Sequence, residues 1–125
     1  MLLHESITQE IIGSFYKVHN SLGFGFLEKV YENAMVIELE KSGLSVQRQH
    51  KIDVYYDEKM VGVYYADLLI EGKVIVELKA CSILMPEHEA QLLNYLKATN
   101  IEVGLLLNFG LEPSFKRKVF SNLQK

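Results

Sequence analysis

Tyr65-Ala66-Asp67-Leu68-Leu69-Ile70 and Val74-Ile75-Val76-Glu77-Leu78-Lys79-Ala80-Cys81, joined by Glu71-Gly72-Lys73, decide the architecture. Both runs are dense in aliphatic and β-branched residues and end at turn formers, so they read as two antiparallel strands joined by a tight turn. The second run has few polar positions, which suits the middle of a sheet. Asp67, Glu77 and Lys79 interrupt this apolar pattern. Burying an ion costs roughly several kcal/mol unless a partner or a metal compensates. Alternation along the strand puts Glu77, Lys79 and Cys81 on one face and Val76, Leu78 and Ala80 on the other. With the turn as pivot, Asp67 is predicted opposite Val76 or Glu77, so that two carboxylates and an ammonium converge. Such a group suits Mg²⁺, which takes carboxylate oxygens and waters and leaves positions for phosphate. The ammonium can orient a water or stabilise charge that develops during phosphodiester cleavage. The competing reading of Glu-x-Lys in a strand is an exposed face with a surface ion pair.

Working outward, Ser6-Ile7-Thr8-Gln9 has the form of a capping box before Ile7, Ile11, Phe15, Val18 and Leu22, which predicts a first helix to about Leu22. Gly23-Phe24-Gly25 breaks it. A second helix is predicted to turn Leu27, Val30, Tyr31, Ala34 and Ile37 or Glu38 to one face and to end at Gly43. Val46–Tyr56 and Met60–Ile70 read as strands around an Asp57-Glu58-Lys59 turn, and Val74–Cys81 as a third. Pro86 fits the first turn of a helix carrying Ala90, Leu93 and Leu96 inward. Ile101–Asn108 is a fourth, nearly all-apolar strand, and Pro113-Ser114 is predicted to open a short last helix. The order α-α-β-β-β-α-β-α implies an α/β fold, a central mixed β-sheet flanked by helices.

The 125 residues form one domain of common size, and 49% hydrophobic residues supply a core. A net charge of −3 excludes a polycationic nucleic-acid binder, although carboxylates that hold a cation contribute to that balance. The single cysteine, Cys81, excludes an intrachain disulfide or a cysteine-based zinc site and fits a reducing compartment. Met1-Leu2-Leu3-His4-Glu5 lacks the features of a signal peptide, and no apolar run reaches bilayer length. A cytoplasmic protein without a membrane segment is expected.

The predicted helix after Pro86 adds polar groups. Gln91 and Tyr95 are four residues apart, hence on one face, with His88 three before Gln91. A solvated flank is the structural alternative. Glu28, in the first turn of the second helix, also serves as an acid that complements the helix dipole. Glu32 and Glu38 read as solvated residues. Lys116, Arg117 and Lys118 read as a solvated helix face rather than a phosphate patch. Tyr55-Tyr56 and Tyr64-Tyr65 can stack on bases, but tyrosine also fits a half-buried strand surface.

These residues resemble the PD-(D/E)XK nuclease superfamily, and within it the RecB-like branch and the GxxExxY protein family. The family's name motif stands here as Gly25, Glu28 and Tyr31. Its later pattern is matched by Asp67-Leu68-Leu69, Glu77-Leu78-Lys79, His88-Glu89-Ala90-Gln91, Tyr95-Leu96-Lys97-Ala98-Thr99 and Gly104-Leu105-Leu106-Leu107-Asn108-Phe109-Gly110. Ala66 replaces the proline of the superfamily name. The resemblance implies a restriction-endonuclease-like core. It implies that Asp67, Glu77 and the Leu78 main-chain carbonyl hold Mg²⁺, with Mn²⁺ as substitute. Lys79 would then orient the attacking water, Glu28 complete the acidic site, and Gln91 and Tyr95 support it and contact substrate. The expected function is a Mg²⁺-dependent nuclease acting on DNA. The alternatives are a non-catalytic module that binds nucleic acid or a protein, and a homo-oligomer or small subunit whose partner supplies specificity.

Overall fold

Five strands, β1 (Val46–Tyr56), β2 (Lys59–Ile70), β3 (Val74–Lys79), β4 (Val103–Phe109) and β5 (Pro113–Val119), form one sheet in that spatial order. The computed structural model describes residues 2–125, so Met1 of the opening segment lies outside the described residues. The β1–β2 and β2–β3 hairpins turn through left-handed residue pairs, Asp57-Glu58 and Glu71-Gly72, whose twist matches that of the strands they join. β1, β2 and β3 are antiparallel, β3 and β4 are parallel, and β4 and β5 are antiparallel. The parallel step uses helix α3 (Pro86–Lys97) as its crossover, as a parallel connection requires.

Helices α1 (Glu5–Leu22) and α2 (Glu28–Lys41) cover one sheet face, burying Phe15, Tyr31, Met35 and Leu39 against Leu68, Val76, Leu105 and Leu107. On the other face α3 buries Leu92, Tyr95 and Leu96 against Ile52, Ala66, Ile75 and Leu106. Alternation along β3 and the end of β2 divides Leu68, Ile70, Val74 and Val76 from Leu69 and Ile75, and β2 changes face at Asp67, since Ala66 packs with the second core. The mixed sheet between helices is the restriction-endonuclease-like α/β architecture.

The last element corrects the sequence expectation. Pro113–Val119 is a strand, not a helix, paired with β4 from Phe109↔Pro113 to Val103↔Val119. β4 is buried along its whole length, and its edge away from β3 needs a hydrogen-bonding partner. β5 supplies one, and its alternation sets half-buried Phe115 between exposed Ser114 and Lys116. Lys116, Arg117 and Lys118 therefore lie on an edge strand, where Lys118 pairs with Glu89 of α3 at 2.7 Å. α1 begins at Glu5 after His4, with no side-chain cap from Ser6. In α2 the buried residues are Tyr31, Glu32, Met35, Val36 and Leu39, whereas Leu27, Val30 and Ile37 are exposed. In α3 the inward residues are Leu92, Tyr95 and Leu96, not Ala90 and Leu93. Both helices are rotated by about one residue from the predicted faces.

Candidate active site

β2 and β3 pair over three couples only, Leu68↔Val76, Leu69↔Ile75 and Ile70↔Val74. Continuing that register sets Asp67 opposite Glu77, and there side chains take over from the backbone ladder. Glu77 Oε2 accepts the Asp67 N–H at 2.7 Å, and Asp67 Oδ2 accepts the Leu78 N–H at 2.8 Å. Each carboxylate is thereby held against the neighbouring strand, with its second oxygen outside these two bonds. Glu77 is only 6% exposed. Its pKa is pushed up to about 8, by burial first and the charge of Asp67 second, against the pull of the Asp67 N–H and of Lys79. Asp67 is also raised, again chiefly by burial, with the Leu78 N–H, Lys79 and the Gln49 amide opposing and Glu32 adding repulsion. Half-buried Lys79 closes β3, in register with Asn108 of β4. The structure thus brings Asp67, Glu77, Lys79 and the Leu78 main chain together.

Gln91 and Tyr95 reach the same place from α3. Gln91 Nε2 donates to the Tyr95 hydroxyl at 2.9 Å. The Tyr95 pKa is pushed up to about 12 by burial and then by Glu77, Asp67 and Tyr64, so the phenol stands beside the acids as a neutral donor. His88 has a structural part: its Nδ1 accepts the Met85 N–H at 3.0 Å and caps α3.

Glu28 is not brought in. It is exposed in the first turn of α2, ahead of the residues that the helix buries. The α2 carboxylate that Asp67 and Glu77 feel is Glu32, one turn later and 4% exposed, where a solvated residue was expected. Lys29 at 2.9 Å and Arg48 at 3.5 Å bridge to Glu32 Oε2, and Gln49 Nε2 donates to its Oε1 at 2.9 Å. Gln49 itself has φ +51° and interrupts the β1–β2 register where Asp67 would be its partner. Glu32 becomes legible only once the packing shows which face of α2 is buried. A helical face counted from Met35, Val36 and Leu39, rather than from Leu27 and Val30, contains it. Gln49 and Arg48 carry no comparable signal.

The other two name-motif residues shape the loop before α2. Gly25 has φ +106°, which side chains disfavour. The buried Tyr31 hydroxyl donates to Gly23 O at 2.7 Å and accepts the Phe26 N–H at 3.3 Å, while its ring stacks on Phe109 with centroids 4.2 Å apart.

An open groove of about 940 Å³ runs from Tyr95 and Gln91 along α3 to the projecting part of the β1–β2 hairpin. Among the described residues no three His, Cys, Asp or Glu side chains form a ready-made metal-ligand group. Mg²⁺ needs only one or two carboxylates, completed by waters and phosphate oxygens. The Asp67–Glu77 pair fits that demand in kind, since two hard oxygen donors repel each other and a cation relieves the repulsion.

A mixed sheet with an acid pair and a lysine where two central strands part defines a nuclease-type fold. The chain belongs to the PD-(D/E)XK nuclease superfamily, whose family model matches residues 5–119. Two solved structures share the fold. The crystal structure of SSO0001 has a TM-score of 0.55 at 20% identity, over 94% of this chain and 61% of that one. An alkaline exonuclease (LHK-Exo) from Laribacter hongkongensis has a TM-score of 0.54 at 12% identity, over 76% of this chain and 57% of that one. The chain therefore aligns with about three-fifths of the length of either neighbour. No curated protein matches it. Among the described residues no helix is long and apolar enough to cross a membrane.

Proposed function

We propose that this chain is a Mg²⁺-dependent nuclease of the RecB-like, GxxExxY type that hydrolyses phosphodiester bonds of DNA. The observation that carries this reading is the interlocked pair of half-buried Asp67 and buried Glu77, beside Lys79 at the point where β2 leaves β3. Asp67, Glu77 and the Leu78 carbonyl would hold the divalent ion, Mn²⁺ serving as substitute, and Glu32 takes the place first assigned to Glu28. When bound, the ion supplies charge neutralisation at the phosphate. Lys79 places its ammonium where it can orient a water and stabilise negative charge on the phosphate oxygens. Water oxygen adds to phosphorus as the opposite P–O ester bond breaks, leaving a phosphomonoester and a hydroxyl. Tyr95, kept protonated by burial and by the neighbouring acids and oriented by the Gln91 amide, donates a hydrogen bond toward the substrate side of the pair. The exonuclease named among the structural neighbours supports a nuclease.

The test uses purified protein with single- and double-stranded DNA, in Mg²⁺ or Mn²⁺ and then in EDTA. Cleavage should require metal and fall at least about a hundredfold in Lys79→Ala, as loss of one transition-state contact does. Metal-independent cleavage, or cleavage that survives Lys79→Ala, overturns the assignment.

A further inference from the structure

The groove beside the acid pair has a composition of its own. Beyond Asp67 toward its N-terminus, β2 pairs with β1 alone, so the hairpin projects past β3 and faces α3. The walls carry three tyrosines, Tyr55, Tyr64 and Tyr95, with the amides of Gln91 and Asn94. Tyr64 is 48% exposed and tilts against Tyr95 with ring centroids 5.8 Å apart, and Tyr55 is 62% exposed. Charge is sparse and of the wrong sign for a phosphate track. Lys97 is opposed by Asp53 and Glu87, and its ammonium lies 5.5 Å over the Phe120 ring. Duplex binding draws its affinity from rows of cations on phosphates. Aromatic faces beside amides instead suit unpaired bases, which stack without regard to sequence.

We infer that this groove takes an unpaired base of a single-stranded nucleic acid, stacked on Tyr64, while the adjoining phosphodiester lies at Asp67–Glu77. The inference rests on the nuclease reading for the position of the phosphate, and Tyr95 supplies the continuity, since it lines the groove and packs in one cluster with Ala66 and Ile75, on the strands that carry the acid pair. Tyr64 is a substrate-binding residue on this account, and strands must be frayed or single to enter.

The experiment measures fluorescence anisotropy of labelled oligonucleotides in EDTA, so that binding is read without cleavage. Single-stranded DNA, RNA of the same sequence and a blunt DNA duplex are compared, with one abasic site moved along the single strand. The expected result is tighter binding of single strands than of duplex. One abasic position should weaken binding to the wild-type protein by about tenfold. In Tyr64→Ala the intact strand should bind about tenfold more weakly and that abasic site should cost nothing further, while Tyr64→Phe should bind as the wild type does. A preference for DNA or RNA identifies the backbone and supports stacking in either case. Equal affinity for duplex, or indifference to every abasic position in the unmutated protein, overturns the inference whether or not Tyr64→Ala folds. Metal-dependent cleavage without an abasic effect removes the groove and leaves the nuclease reading. An abasic effect without cleavage does the reverse, and absence of both removes both.

Discussion

Glu77 has Asp67 across the strand gap and Glu32 on the facing helix, with one half-buried ammonium, Lys79, among them. Its pKa of about 8, against an ordinary 4.5, makes the folded metal-free protein bind a proton that the unfolded chain releases. Stability therefore falls as pH rises from about 4.5 to about 8, by up to about 1.4 kcal/mol per pH unit, and is flat outside that window for this group. Urea unfolding in EDTA at pH 5, 6, 7 and 8 should show the decline, and Glu77→Gln should flatten it. A wild-type curve without slope would refute the electrostatic account. The α2 acids give a sharper comparison at this scale. Glu32→Gln should lower kcat by about tenfold or more, whereas Glu28→Gln should stay within about twofold. The opposite ranking would restore Glu28 to the site.

At the scale of elements, the site depends on how α3 docks. Gly104 of β4 lies beneath Leu92, and a Cβ there would stand 2.6 Å from Leu92 Cδ1, within a side chain that is fully buried. Gly104→Ala should destabilise by about 1–3 kcal/mol in denaturant titration, as overpacking does, and lower activity further because Gln91 and Tyr95 ride on the same helix. A stable, fully active Gly104→Ala protein would show that α3 has slack. Asn108 works at the end of β3. Its amide accepts the Cys81 N–H at 3.0 Å and donates to Cys81 O at 2.9 Å, prolonging the β3–β4 pairing by a side chain. The α2 and α3 faces show where helical periodicity misleads. Leu27, Val30 and Ala90 satisfied an apolar stripe on paper, yet the sheet selects the neighbouring stripe, and Glu32 enters with it.

For the whole molecule, the consequence of a repelling acid pair is linkage to metal. An ion that binds the folded state alone stabilises it by mass action, about 2.7 kcal/mol at a hundred times its Kd. Millimolar Mg²⁺ or Mn²⁺ should raise Tm in calorimetry, more so with increasing concentration, and Asp67→Ala/Glu77→Ala should abolish the rise. An unchanged Tm in the wild type would count against the site.

The hairpin, the parallel crossover and the convergence of Asp67, Glu77 and Lys79 were legible along the chain, because strand alternation and turn residues are local properties. Gln91 and Tyr95 were legible too, since their spacing puts them on one face whichever way the helix turns. Tertiary structure alone decided that Pro113–Val119 is a strand, because its partner is the open edge of β4 and not anything in its own seven residues. It alone decided that Glu32 and not Glu28 faces the pair, since the rotation of α2 is set by what packs against the sheet. A carboxylate is placed by the surface its helix must bury, and that surface belongs to another part of the chain.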